Sequence, residues 1–281
     1  MLNGVLRRAR KASLAGALIA PLWVYQALHG APVTESHGVQ KPLPIIELRQ
    51  YVLYPGKRDV FTRLFEDQFV ESQEALGMDI IGTFHEPEHP SHFTWIRGFT
   101  DMEARAIELD AFYSGPVWHA HRDTANPMLE DNDNVLLLHE AYPGSGLPMT
   151  NQSRVPIGSE ALPGGLIVAN IYYLKEAPQA GFTEFFREKM APHLNKAGIN
   201  VLASFVPEQS PNNFPKLKIR EGESLFVWFA RFNDTADYQH HWASLAAQPQ
   251  WHDHVAAAWT AQLNSPPEIL ELEPTARSLL H

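Results

Sequence analysis

The sequence repeats itself. A shift of 121 residues lays Ile46 on Ile167, Tyr51 on Tyr172, Phe61 on Phe182, Phe65 on Phe186, Gly77 on Gly198 and Phe84 on Phe205. Beyond that point the offset becomes 133, and Trp95 falls on Trp228, Phe99 on Phe232, Asp101 on Asp234, Pro116 on Pro249, Trp118 on Trp251, His119 on His252 and His121 on His254. Two fixed offsets that align Trp, Gly and His imply one structural unit used twice. The jump places an insertion in the second copy, around Pro207 to Glu223, and its Pro, Asn, Lys and Glu content suits a surface loop. The copies are expected over residues 43–140 and 165–273. The Pro-, Gly- and Ser-rich stretch between them, residues 141–164, reads as a linker.

One copy can be read element by element. Ile45 to Leu53 is rich in β-formers and ends at the turn dipeptide Pro55-Gly56, so a strand is expected. Phe61, Leu64, Phe65, Phe69 and Leu76 then recur at helical spacing with charged residues between them. Asp79 to His85 reads as a strand, and Pro87 and Pro90 predict a loop from Glu86 to Ser91. A strand over Phe93 to Phe99 follows. Asp101 is placed to cap a helix from Met102 to about Phe112, and a helix from Val117 to Leu129 should restart after Gly115-Pro116. Val135 to His139 closes the unit as a strand. The order β-α-β-β-α-β is the ferredoxin-like split motif, with helices on one face of an antiparallel sheet. The expected fold class is therefore α+β: two tandem ferredoxin-like modules whose bare sheet faces pair as an α/β barrel.

Several stretches of the first copy, in order, resemble the NIPSNAP family. They are Glu47-Leu48-Arg49-Gln50-Tyr51 with Pro55-Gly56-Lys57, Trp95-Ile96-Arg97-Gly98-Phe99 with Asp101-Met102-Glu103-Ala104-Arg105, and Gly115-Pro116-Val117-Trp118 with Asp133-Asn134-Val135-Leu136. The second copy resembles the family more loosely, with Asn170 where the first has Arg49 and Ala230 where it has Arg97. The resemblance implies membership of the dimeric α/β-barrel superfamily, which holds small monooxygenases, haem enzymes, lactone isomerases and proteins without known activity. NIPSNAP proteins have no settled chemistry and are associated with membranes, vesicular traffic and, in animals, mitochondria.

Composition excludes some chemistry. The chain has no cysteine, which removes disulfides, thiolate catalysis and cysteine-ligated metals. The formal net charge is −10; Arg7, Arg8, Arg10 and Lys11 are the only charges before Glu35, so subtracting these four leaves −14 on the rest. An acidic body repels phosphate backbones, and no nucleic-acid partner is expected. Residues 1–36 read as a leader, with a basic start and an apolar run over residues 12–28 broken by Pro21. Export to a periplasm fits this pattern best. A retained membrane anchor and a mitochondrial transit peptide are the alternatives.

The candidate site residues lie in the first copy. Glu47, Arg49 and Tyr51 share one face of a strand, and Trp95 and Arg97 share one face of another. An arginine in a sheet interior needs a partner or an anionic ligand. The two readings are a clamp for an acidic group inside the barrel and a structural pair, such as Arg97 with Glu47. Tyr113 and Trp118 add aromatic surface. His119 and His121 are the candidate general bases, although two residues apart on a helix they point to nearly opposite sides. His85, His89 and His92 flank the Pro-rich loop without a shared face, so no metal site is assigned. No cofactor is assigned either, since no glycine-rich phosphate loop or nucleophile elbow is present. The partner is expected to be a small molecule, apolar or acidic, or a protein, with homodimerisation left open. The functional alternatives are a small monooxygenase or isomerase and a non-catalytic scaffold.

Overall fold

The computed structural model describes residues 43–147 and 153–281; the predicted leader lies outside the described residues. In the first module strand β1 (Ile45–Leu53) leads to helix α1, which is α-helical over Arg58–Leu64, widens to a π stretch over Phe65–Phe69 and resumes over Val70–Glu74. Strands β2 (Asp79–Glu86) and β3 (His89–Phe99), helices α2 (Met102–Tyr113) and α3 (Pro116–Ala125), and strand β4 (Leu129–Glu140) complete it. The second module repeats the plan. It has β5 (Leu166–Tyr173), α4 (Phe182–Phe185, a π stretch over Phe186–Met190, then Ala191–Lys196), β6 (Val201–Pro207) and β7 (Leu225–Phe232). Then come α5 (Thr235–Ala246), α6 (π over Trp251–Val255, then Ala256–Gln262) and β8 (Glu268–Pro274). The duplication extends to the caps. Asp101 accepts from the Ala104 amide at 2.7 Å and Asp234 from the Asp237 amide at 2.8 Å, each satisfying a donor at its helix start.

Each module forms an antiparallel sheet, β4-β1-β3-β2 and β8-β5-β7-β6, and the two close into one eight-stranded barrel. The period-2 alternation divides the strands between two environments. Ile46, Leu48 and Ile96 point into the barrel, where they meet Ile167, Ile171, Phe205 and Phe229 of the second module. Ile45, Tyr51, Trp95 and Phe99 point the other way, under α1, α2 and α3. Leu166, Val168, Tyr172 and Trp228 do the same beneath the helices of the second module. The barrel interior is thus a side-chain core.

The seams between modules are short. β4 meets β6 over Leu138↔Pro207, His139↔Val206 and Glu140↔Phe205, and β2 meets β8 over Phe84↔Pro274 and His85↔Glu273. Segments outside the strands reinforce both. Leu147, from the stretch read as linker, is buried in the barrel core, and Ser145 Oγ donates to the Ser204 carbonyl at 2.8 Å beside the β4–β6 seam. At the other seam the chain continues past the expected end of the second module. Thr275 Oγ1 lies 2.6 Å from Thr83 Oγ1, Arg277 bonds Glu71 and the Glu66 carbonyl, and Leu280 enters the barrel core.

Three local expectations are corrected. β3 begins at His89 and runs through Pro90, leaving a two-residue turn at Pro87-Glu88. Proline is tolerated there because the pairing of β3 with β1 starts only at His92↔Val52, so no ladder bond on that side is lost. α3 stops at Ala125, just before Pro127, and β4 starts six residues earlier than Val135, at Leu129. Among the described residues no helix is long and apolar enough to cross a membrane.

The tail's contribution is measurable. Leu280→Ala should lower the unfolding free energy in urea by about 2–3 kcal/mol through the cavity it leaves. Exposed Ile107→Ala should change it by less than about 0.5 kcal/mol. Equal effects would mean that the tail does not belong to the barrel core.

Candidate functional site

β1 and β3 are register-paired with Glu47 opposite Arg97 and Arg49 opposite Trp95. These residues are on the helix side of the sheet, so the arginines face α1 and α2 and not the barrel interior, where the sequence reading had put a clamp. The period was read correctly; which face a helix covers is a tertiary matter. Glu47 Oε2 accepts from Arg49 Nη1 and Arg97 Nε, each at 2.8 Å. Its other oxygen accepts at 2.8 Å from Nε of Arg105, delivered by α2. All four side chains are fully buried.

Three guanidinium groups against one carboxylate leave two positive charges out of water. Arg97 Nη2 and Arg105 Nη2 are 2.7 Å from the carboxylate, yet neither N–H is aligned on it, and both remain without a hydrogen-bond acceptor among the described residues. Burial would raise the Glu47 carboxyl, but Arg97, Arg49 and Arg105 together outweigh it and hold the group well below the usual carboxylate range. The expected Arg97–Glu47 pair is present, inside a larger cluster with excess cation.

In front of this cluster lies a cavity of about 340 Å³ between the sheet and the helices. Tyr51 and Trp95 line it from the strands, Phe65, Phe69 and Gln73 from α1, Tyr113 from α2 and Trp118 from α3. Two of these touch the arginines directly. Arg49 Nε donates to the Tyr51 hydroxyl at 2.9 Å, and Arg97 Nη1 donates to Gln73 Oε1 at 2.9 Å. The guanidinium carbons of Arg97 and Arg49 lie 5.0 Å and 5.5 Å from the Trp95 ring. Burial, opposed by Arg49, raises the Tyr51 hydroxyl above its ordinary value, so it keeps its proton. Its oxygen already accepts from Arg49, which leaves that proton to be donated. Trp95 Nε1 is a second buried donor without a partner among the described residues. Trp95 Nε1 itself is closed off from the cavity, so the Tyr51 hydroxyl, backed by positive charge, is the donor on this wall, which suits an acceptor-bearing ligand.

The predicted ligand residues converge: Tyr51, Trp95, Tyr113 and Trp118 line the cavity, and Arg49 and Arg97 lie behind it. The candidate bases do not join them. His119 is exposed on α3, and His121 packs its ring 6.2 Å from Phe69; neither lines the cavity. His89 and His92 stack on each other at 4.6 Å, and among the described residues no cluster of metal-ligating groups forms. Arg105 and Gln73 were missed by sequence reasoning. A signal existed for Arg105, which shares a helix face with Met102, Leu109 and Phe112 at apolar spacing.

The second module keeps the aromatic shell and loses the charge. At the positions of Glu47, Arg49, Arg97 and Arg105 it has Val168, Asn170, Ala230 and Tyr238. Asn170 and Ser204 flank Trp228 across the strands, and all three are buried with polar atoms that lack partners among the described residues. The four replacements carry no positive charge.

Two outcomes test these electrostatics. Glu47→Gln should cost about 3–5 kcal/mol of stability in urea unfolding, because the arginines lose their counter-charge; a loss under about 1 kcal/mol would mean the cluster is solvated. His85 supplies the second. Thr62 Oγ1 donates to the Arg58 carbonyl at 2.9 Å and so accepts from His85 Nε2–H at 2.8 Å. Burial, aided by the charge of Arg58, pushes the imidazole down to about 4 from an ordinary 6.5. The unfolded chain binds more protons between those values, so stability should rise with pH across the window. His85→Gln should flatten that rise in unfolding measured at several pH values.

Residues 46–142 match the NIPSNAP family model. No curated protein matches the sequence. Among solved structures, a Lactobacillus acidophilus NCFM protein provisionally assigned as a monooxygenase is similar at a TM-score of 0.52 and 15% identity, over 85% of this chain and 97% of that one. A Fusobacterium nucleatum protein with the same provisional assignment has a TM-score of 0.52 and 12% identity, over 83% of this chain and 93% of that one. At such identities the likeness concerns the fold alone, an α/β barrel, here closed within one chain. The first module, with its buried arginine cluster and aromatic cavity, is the part of the chain that matches the NIPSNAP family model.

Proposed function

We propose that the first module binds a small molecule with a flat apolar body and an acidic end. The observation that carries this reading is the excess buried cation directly behind an aromatic cavity. Desolvating charge is costly, and a structural role alone would be met by balanced partners or by uncharged residues; the second module folds on the same plan with none of these charges. An anionic ligand would supply the missing negative charge through the Tyr51 hydroxyl, while Phe65, Phe69, Tyr113 and Trp118 hold its body.

The scaffold reading gains nothing from the cavity. The enzyme reading, a small monooxygenase or isomerase, requires a group that moves a proton, and neither His119 nor His121 lines the site. Tyr51 and Tyr113 on the cavity wall would have to serve instead.

Calorimetry with 2-naphthoate and its neutral counterpart 2-naphthalenemethanol tests the proposal. The carboxylate should bind at least about tenfold more tightly, a difference of about 1.4 kcal/mol, and Trp118→Ala should weaken both. Equal affinities, or none, would sink the binding reading.

A further inference from the structure

The insertion of the second module does not hang free in solvent. It leaves β6 at Pro207 and runs along β4 of the first module, where the Glu208 amide donates to the Leu137 carbonyl at 3.0 Å and the Arg220 amide to the Val135 carbonyl at 2.8 Å. Its tip reaches α2. Arg105 Nη1 donates to Asn213 Oδ1 at 2.6 Å and Asn212 Oδ1 at 3.2 Å, and Asn213 Nδ2 donates to the Met102 carbonyl. Phe214 is buried with its ring stacked 5.7 Å from that of Tyr113. Phe214, Lys216 and Leu217 all line the cavity of the first module. The expectation of a plain surface loop was therefore half correct: exposed along its length, it carries a buried apolar tip.

We propose that the binding site is composite, with this arm of the second module covering the cavity of the first and selecting negatively charged ligands through Phe214 and Lys216. The proposal rests on the binding reading above. Phe214 clasps Tyr113 and narrows the opening. Lys216 is the charged side chain lining the cavity; it is exposed, its ammonium lies 5.5 Å from the Phe214 ring, and its ion pair with Asp110 at 3.5 Å is a contact of little strength in water. It is therefore available to an incoming anion, and its charge favours entry of anions over neutral molecules. The asymmetry of the duplication agrees. The equivalent β2–β3 connection of the first module is the turn at Pro87-Glu88, too short to reach the second module's helices, and the second module has lost the cluster an arm would cover. One charged site and one arm remain.

Because the chain contains no cysteine, a single reporter thiol tests the cover without any ligand. Ala125→Cys places the thiol in the cavity wall, and Leu129→Cys is the second reporter should the first not fold. The reagents are uncharged N-ethylmaleimide and the dianion 5,5′-dithiobis(2-nitrobenzoate). Phe214→Ala should raise the rate with both about fivefold, because the covered state is opened. Lys216→Gln should slow only the anionic reagent, about threefold. Rates unchanged by both substitutions would overturn the proposal, even if naphthoate binds. Rates that shift as expected while naphthoate fails to bind would leave the cover standing and remove the binding reading.

Discussion

A sheet with helices on one face has a second face that must also leave water. That constraint governs this molecule. Each module alone would expose a row of Ile, Leu, Val and Phe, and the two rows cover each other in the barrel core. Closure also removes the edge strands, whose unpaired backbone groups would otherwise invite association. Because the backbone pairing at the seams is so brief, much of the closure falls to side chains and to segments that a strand count omits, Leu147 and Leu280 among them.

With the barrel interior committed to packing, the buried charge and the cavity lie on the other side of the sheet. There the first module accepts a cost that the second has shed. Three arginines share Glu47 beneath α1 and α2, while the second module has only Val168, Asn170, Ala230 and Tyr238 in their places. Two identical chains forming such a barrel would have to carry every substitution twice. Fusion removes that restriction, and the two halves here have diverged: the first buries the charge cluster, and the second carries uncharged residues in its place.

Much of this was legible in the sequence. The fixed offsets marked the duplication, and the alternation of Glu47, Arg49 and Tyr51 put them on one face. Asp101 announced its helix because capping is local. What could not be read depended on contacts between distant segments. Nothing near Arg49 says which side of its strand a helix will cover, and nothing near Phe214 says that a ring in a polar loop will find Tyr113 in another module. The loop predicted at Pro90 failed for a similar reason: whether a missing amide matters depends on whether a neighbouring strand reaches that far.

The π stretch in α1 has a consequence of phase. A π turn holds one residue more than an α turn, and an α-helix advances about 100° per residue. Everything after Phe69 is therefore rotated by roughly that angle relative to an unbroken helix. Gln73 meets Arg97 in this rotated frame, and the same widening recurs at the matching place in α4, over Phe186–Met190. A chain one residue shorter here would gain a more regular helix and turn Gln73 away from the guanidinium it holds. In this stretch, helical regularity and the geometry of the cavity floor pull in opposite directions.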